Sequence, residues 1–272
     1  MQDASRARLG RVLIIAGSDS GGGAGIQADI KTVTALGGYA ATAITAVTVQ
    51  NTLGVFGVHP IPADLVEAQA LAVLDDIGAD AIKTGMLGDM ATVEAVARIL
   101  DRPTGALAVI DPVMIAKGGS SLLEPSAIDA LRSLLVPRAA LITPNAPEAE
   151  ALTGLRVASQ DDQRRAGEAL LASGARAVLV KGGHIPGARV VDLLVTPQGE
   201  TVFEGPRIDT RHTHGTGCTL ASACAAGLAQ GLDLTDAVAR AWAYTAEAIR
   251  SAPGLGAGHG PLDHGWTLRR GS

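Results

Sequence analysis

Residues 12–37 read VLIIAGSDSGGGAGIQADIKTVTALG, and this stretch decides the fold. Its first five residues are uniformly apolar, as in a strand buried on both faces of a parallel sheet. Five glycines follow within residues 17–25, where the chain must turn and where backbone can approach a ligand closely. From Ile26 onward apolar residues return at helical spacing, with Ile26, Ile30 and Val33 on one stripe, and Gly37 stands where the helix should stop. The stretch is a βα unit.

The unit recurs along the chain. Apolar runs at 107–110, 141–143 and 177–181 read as further buried strands. Between them lie amphipathic stripes, Val66, Ala70, Val73 and Ile77, then Val93, Val96, Ala97 and Leu100. Pro62 and Pro125 sit where first turns should start, and Gly78 and Gly154 where helices should end. Residues 190–203 read as a hairpin around Pro197-Gln198-Gly199, and 253–260 as a glycine-rich loop. The cluster DDQRR at 161–165 reads as i,i+3 and i,i+4 ion pairs on a solvated helix face. Such alternation means right-handed crossovers and an open α/β sheet of about eight strands. With no linker or internal repeat, residues 1–272 read as one domain, with 1–10 as a disordered N-terminus.

Composition narrows the function. Of 272 residues, 47% are hydrophobic and 18% charged, which excludes an intrinsically disordered chain. A net charge of -5 argues against nucleic-acid or anionic-membrane partners, and 2% aromatics are too few for base-stacking platforms. The apolar run 12–16 is too short for a signal-peptide core, and no stretch approaches the roughly 20 apolar residues that span a bilayer. Cys218 and Cys224 lie six apart on one expected helix, point to different faces and cannot bridge each other, a usage that fits a reducing cytoplasm. Lysine is scarce. Of 22 basic residues, only Lys31, Lys83, Lys117 and Lys181 are lysines.

In an open α/β sheet, ligands bind at the carboxyl ends of the strands, so the residues after each strand matter most. The glycine loop at 17–25 is not a dinucleotide fingerprint, because no GxGxxG register fits, and not a P-loop, because no Lys-Ser or Lys-Thr follows it. Read alone, it is a plain turn as readily as a ligand loop. Far downstream, His212-Thr213-His214-Gly215-Thr216-Gly217-Cys218 opens a helix rich in small residues. Gly215, Thr216 and Gly217 would leave free backbone N–H groups at its start, which makes an anion hole. Cys218 falls in the first turn, where the dipole lowers a thiol pKa; the alternative is a small buried residue. With no further His nearby, His212 and His214 favour a loop role over a zinc site. Three more strand ends carry Asp111-Pro112, the run Thr143 to Glu148 (TPNAPE) and Lys181-Gly182-Gly183-His184. An acid, an amide with an acid three residues on, and a lysine along one sheet edge suit phosphoryl transfer, with Mg2+ held by the acids.

These residues come in the segments AGSDSGGGAGIQADIKT, ITAVTVQNTLGV, IKTGMLGD, VIDPVM, LITPNAPEAEALTG, VLVKGGH, THGTGCTLASA and GHGP. In that order, across roughly residues 12–264, the chain resembles the ribokinase-like superfamily. Within it, the chain most resembles the hydroxymethylpyrimidine/phosphomethylpyrimidine kinases of thiamine biosynthesis. The resemblance implies a three-layer α/β/α sandwich with a mostly parallel central sheet, and ATP and Mg2+ as cofactors. It implies phosphorylation of 4-amino-5-hydroxymethyl-2-methylpyrimidine, then of its monophosphate, and a homodimer. By the resemblance, Gly215, Thr216 and Gly217 form the anion hole for the transferring phosphoryl group. Cys218 stands where most sugar kinases of the superfamily carry a catalytic Asp. Asn145 and Glu148 match the Asn-x-x-Glu motif that organises Mg2+ and triphosphate, Asp111 matches an acid near the metal, and Lys181 a phosphate-binding lysine. Gln50 matches the pyrimidine-reading glutamine, with Gly17, Ala24, Asp29, Thr48, Met86 and Val113 around the ring. Lys31, Lys83 and Lys117 receive no role.

At Gln50 the physical reading agrees, because a carboxamide offers an acceptor and a donor side by side to a ring nitrogen and its exocyclic amine. Its alternative is a satisfied strand-end amide, and Met86 and Val113 could equally be core. Three competing functions remain. A vitamin B6 kinase shares the Gly-Thr-Gly-Cys ending. A dead kinase fold serving as a binding module is opposed by the intact phosphate-handling residues, and a NAD-dependent oxidoreductase by the loop spacing.

Overall fold

The computed structural model describes residues 9–114 and 122–269. The expectation of a disordered N-terminus at 1–10, up to residue 8, and the unassigned Lys117 lie outside them. The run at 12–16 belongs to a longer strand, β1 (Arg11–Asp19). Its side chains alternate between two cores: Leu13 and Ile15 enter one, Val12, Ile14 and Ala16 the other. The glycine loop leads to α1 (Gly25–Ala35), and Gly37 takes the left-handed φ of 77° just beyond its end. The next elements are β2 (Tyr39–Asn51), β3 (Gly54–Pro60), α2 (Ala63–Asp76), β4 (Ala81–Thr84), α3 (Met90–Leu100) and β5 (Leu107–Ile110). They are followed by α4 (Pro125–Ala130), β6 (Leu141–Ile142), α5 (Ala146–Thr153), α6 (Gln160–Ala172) and β7 (Val178–Val180). The chain ends through β8 (Arg189–Thr196), β9 (Gly199–Pro206), α7 (Thr216–Ala229), α8 (Leu234–Arg250) and the short α9 (Trp266–Arg269).

One sheet runs in the order β3-β2-β1-β4-β5-β6-β7-β8-β9. The six strands from β2 to β7 in that order are parallel, while β3 at one edge and β8 and β9 at the other are antiparallel. Nine strands replace the expected eight. The hairpin at 190–203 is present as β8–β9, turning at Pro197-Gln198. On one face lie α2 to α6, packed on Leu13, Ile82, Ile110, Ile142 and Val178. On the other lie α1, α7 and α8, packed on Val12, Ile14, Ala81, Val109 and Leu179. This is the expected three-layer α/β/α sandwich. Among the described residues no helix is long and apolar enough to cross a membrane.

Two local features set up the site. Eleven of the 14 residues of α7 are buried, and a Cβ on Gly227 would stand 2.8 Å from the Ala237 Cβ of α8, so small residues are what let this helix sit against both α8 and the sheet. In α1 the inward stripe is Ile26, Asp29 and Val33; Ile30, expected on it, is 36% exposed. A carboxylate thus occupies a core position of a helix, which is stable only if a partner meets it there. The DDQRR cluster forms two i,i+3 pairs, Asp161–Arg164 and Asp162–Arg165, and Arg164 also reaches Glu200 of β9.

Candidate active site

Because the central strands are parallel, their carboxyl ends share one edge, and the chemistry-bearing residues collect there. On the β5–β7 side, Lys181 Nζ lies 3.0 Å from Asp111 Oδ1 and 4.0 Å from Glu148 Oε2. The Thr143 hydroxyl donates to the same Asp111 oxygen at 3.1 Å. Asn145 caps α5: its Oδ1 accepts from the Glu148 N–H at 3.0 Å while Glu148 Oε2 accepts from the Asn145 N–H at 2.8 Å. This capping box fixes the Glu148 carboxylate over the strand ends instead of leaving it to solvent. Burial pushes the Glu148 carboxyl up to about 7, Lys181 opposing the rise and Asp111 adding to it. Burial likewise works against the Lys181 ammonium, but Asp111 and Glu148 outweigh it and hold its pKa above the ordinary lysine value.

Of the anion-hole residues, Gly217 faces this cluster, whereas the Thr216 N–H and hydroxyl both donate to the Thr213 carbonyl, at 3.4 and 2.8 Å. Gly215, at φ 85°, is the N-cap of α7, and a Cβ added to Gly217 would stand 3.3 Å from Lys181 Nζ and 3.7 Å from Asp111 Oδ2. Gly217 therefore lets the ammonium and the helix N-terminus approach the same point.

A second group gathers at the ends of β1, β2 and β4. Thr48 donates its hydroxyl to the Ser18 carbonyl at 2.8 Å, and Gln50 Nε2 donates to the Thr48 oxygen at 2.7 Å. Since the Thr48 hydrogen is committed to Ser18, the group Gln50 turns toward it must be the NH2, which sets the side-chain flip and leaves Oε1 as the acceptor on the other side. Gly17 touches this group through Met86, whose Cε would lie 3.3 Å from a Cβ at position 17. Ala24 donates its N–H to Asp19 at 2.8 Å, and Val113 folds back on Asp111 through a 2.8 Å backbone bond. Gly17, Ala24, Thr48, Gln50 and Met86 are thus brought together, with Val113 beside Asp111.

Two expectations are corrected. Asp29, expected around a bound ring, is 0% exposed: both its oxygens lie 2.9 Å from Lys83 Nζ, and Oδ1 also accepts from the Ser222 hydroxyl at 2.7 Å. Lys83 is itself 0% exposed, because the period-2 alternation of β4 aims it into the α1–α7 layer opposite Ile82. Burial disfavours its charge, yet Asp29 holds the Lys83 ammonium above its ordinary pKa. The second correction concerns Cys218, whose thiol the helix dipole was expected to acidify. Burial pushes it up to about 12; Lys83 pulls it back, while Asp29 and Asp111 add to the rise. The Gly25 N–H also favours the thiolate. Desolvation of the thiol itself outweighs a dipole of partial charges.

Sequence reasoning left Lys83, Ser222 and Thr143 unassigned. The signal for Lys83 was available: a lysine inside the apolar strand AIKT, in a chain with four lysines, has to meet a carboxylate.

Comparison with known proteins places this geometry in context. The family model described as phosphomethylpyrimidine kinase matches residues 19–263. The hydroxymethylpyrimidine/phosphomethylpyrimidine kinase of Streptomyces coelicolor is 52% identical over 257 residues, covering 94% of this chain and 95% of that protein. Among solved structures, the ADP complex of Bacillus subtilis pyridoxal kinase superposes with a TM-score of 0.89 at 38% identity, covering 96% of this chain and 99% of the other. The phosphomethylpyrimidine kinase of Clostridium difficile superposes with a TM-score of 0.78 at 43% identity, covering 88% and 99%.

Proposed function

The chain belongs to the phosphomethylpyrimidine kinase family, and from that membership and its site we propose that it transfers the γ-phosphoryl group of ATP to 4-amino-5-hydroxymethyl-2-methylpyrimidine and then to the resulting monophosphate, in thiamine biosynthesis. The observation that carries this reading is the meeting of Lys181, Asp111 and Glu148 beside Gly217, across the sheet edge from Gln50. The hydroxymethyl oxygen in the first transfer, and a phosphate oxygen of the monophosphate in the second, bonds to the γ-phosphorus, the bond from that phosphorus to the β–γ bridging oxygen breaks, and ADP leaves. Gly215, Thr216 and Gly217 receive the charge on the transferring group through backbone N–H donors, the Thr216 N–H exchanging its long 3.4 Å bond to the Thr213 carbonyl for the phosphoryl oxygen, and Lys181 adds a full positive charge at the same point. Asn145, Lys181, Thr216 and Gly217 hold the triphosphate. Gln50 reads the ring, Oε1 accepting from the exocyclic amine and the NH2 donating to the adjacent ring nitrogen; Gly17, Ala24, Thr48, Met86 and Val113 enclose it.

Asp111 and Glu148 fit Mg2+. Two oxygen-only carboxylates lean on one ammonium, so a single positive charge faces two negative ones at the strand ends. Such a pair leaves the remaining coordination positions to water and phosphate, as Mg2+ requires. Bound there, the ion would neutralise triphosphate charge as the γ-phosphoryl group departs.

In the first transfer, Cys218 takes the hydroxymethyl proton in its thiolate form. With the thiol pushed up to about 12, thiolate is scarce at neutral pH and grows with every step toward that value. The expected rate therefore rises with pH, by about tenfold per unit between pH 6 and 9. A flat profile, or full kcat in Cys218→Ser, would remove Cys218 from the role. Loose phosphoryl transfer makes a scarce base tolerable, because the proton departs late.

The likeness to pyridoxal kinase structures favours a second reading, vitamin B6 phosphorylation on the same scaffold. Gln50→Leu separates the two. It should depress turnover of the pyrimidine by more than about tenfold while sparing pyridoxal, whose pyridine lacks the amino group that Oε1 accepts from. Equal losses on both would defeat the assignment of Gln50.

The protein acts as one domain in the cytoplasm, as a homodimer. The edge ribbon β2–β3 supports the dimer, because Val47, Val49, Phe56 and Val58 are each 47–66% exposed on it, Val47 and Val49 on the face opposite Val58, which is apolar edge surface suited to a second copy. Phe56→Asp should yield a monomer by light scattering. An unchanged dimer would place the interface elsewhere.

A further inference from the structure

Asp19 ends β1 with its side chain 1% exposed, and it is the most heavily bonded carboxylate of the site edge. Oδ1 accepts the Gly21 N–H at 2.7 Å; Oδ2 accepts the Gly23 and Ala24 N–H groups at 3.0 and 2.8 Å, and lies 2.8 Å from His214 Nε2. Burial would raise its pKa, but the His214 bond and the backbone donors hold it below the ordinary carboxylate value, so it stays ionised.

His214 is the residue before Gly215, the N-cap of α7. Its backbone is fixed on the opposite side by a 3.1 Å bond from its N–H to the Gly260 carbonyl and by a parallel bridge to Pro261. Between the two segments there is no slack. A Cβ on Gly23 would stand 2.6 Å from His214 Cδ2, and a Cβ on Gly215 would run into the Gly23 carbonyl oxygen. The next residue in the first loop carries the linkage to the ring side: the Ser20 hydroxyl donates to the Gln50 carbonyl at 2.8 Å and accepts the Gln50 N–H at 2.9 Å. A continuous path therefore runs from Gln50 through Ser20, Asp19 and His214 to Gly215.

We propose that Asp19 and His214 form a clasp that sets the position of the Gly215–Cys218 turn against the ring-binding loop, so that both are positioning residues for phosphoryl transfer. The proposal rests on the kinase reading for its catalytic consequence, but its structural content is independent of which alcohol is phosphorylated. Without the clasp, the two loops keep their van der Waals contact and the Gly25 N–H bond to Cys218 but lose the ionic one, and a displacement of about 1 Å between a bound alcohol and the anion hole costs on the order of 100-fold in rate. Ring binding, which uses Gln50 and its neighbours, should change little.

The test compares His214→Leu, which removes the donor, with His214→Gln, whose amide can donate from the place of Nε2, in the full-length protein. Two readouts are needed. In turnover of whichever alcohol the wild type accepts, His214→Leu should lower kcat about 100-fold with KM for the alcohol changed less than about threefold, and His214→Gln should recover most of the loss. In calorimetry with Mg2+ present, the preference for AMP-PCP over ADP reports the γ-phosphoryl position without any turnover; His214→Leu should cut it about tenfold and His214→Gln should keep it. Asp19→Asn combined with His214→Leu should be no worse than the worse single variant, because the two side chains form one interaction. A uniform fall in active fraction with unchanged AMP-PCP preference, or additive losses, would overturn the clasp and leave a merely structural pair. If the wild type turns over no alcohol, the kinase reading fails by itself, and the nucleotide preference still decides the clasp.

Discussion

Replacing Lys83 by Met would expose how much the core between α1 and α7 depends on one ion pair. Lys83 and Asp29 are both 0% exposed, with Nζ 2.9 Å from each carboxylate oxygen and the Ser222 hydroxyl as the third partner. Met nearly conserves volume, so the loss is electrostatic and not a cavity. Removing one partner of a buried pair costs about 3–5 kcal/mol, because the remaining charge is left in a medium that cannot solvate it. For a chain of this size that corresponds to a fall in Tm of roughly 6–20 °C. The sign with pH follows. In Lys83→Met the buried Asp29 carboxyl has a folded pKa above its unfolded one, so the folded state binds more protons and the variant loses stability as pH rises. Urea unfolding at pH 5.5 and 8 should therefore show a larger deficit at pH 8. Lys83→Met/Asp29→Asn should recover at least half of it, since Asn keeps an acceptor for Ser222 and carries no charge. A single-variant loss below about 1 kcal/mol, the same at both pH values, would refute a buried ion pair at this position.

Other outcomes are equally specific. Gly215→Ala places a side chain at φ 85° and drives it into the Gly23 carbonyl, so phosphoryl transfer should fall by at least about 100-fold; steady-state rates near wild type would mean the turn can move freely. His264 is buried, with Nε2 3.0 Å from the Thr219 oxygen, and burial pushes its pKa down to about 4. Its unfolded form takes up a proton near pH 6.5, so its contribution to stability is complete above that value and is lost as pH falls toward 4. His264→Gln should flatten the acid limb of a thermal-stability profile, and an unchanged limb would assign the acid loss to other groups.

Much of this architecture was legible in sequence for a simple reason: the features were local. The strand–glycine–helix stretch at 12–37, the capping signature from Asn145 to Glu148 and the glycines at 215 and 217 each carry their physical meaning within a few residues. What escaped reading was non-local. Asp29 was placed around the ring by resemblance alone, and its partners, which stand on β4 and α7, 54 and 193 residues away, could not be read from its own segment. Cys218 looked acidic because the dipole is a property of its own helix, whereas the desolvation that overrides it comes from residues distant in sequence that close around the thiol. Asp19 and His214, 195 residues apart, could be joined only once β1 and the N-terminus of α7 were seen side by side. The count of strands slipped because β2 and β3 are separated by only Thr52 and Leu53, too short a break to read as a turn between two edge strands.

The most direct test supplies the purified protein with ATP and Mg2+ and offers 4-amino-5-hydroxymethyl-2-methylpyrimidine, its monophosphate, pyridoxal and ribose in parallel, with products resolved by chromatography. The expected result is conversion of the pyrimidine to its monophosphate and then its diphosphate, with ribose untouched. Phosphorylation of pyridoxal alone would contradict the ring assignment at Gln50, and consumption of none of the four would contradict phosphoryl transfer at the Lys181–Gly217 cradle.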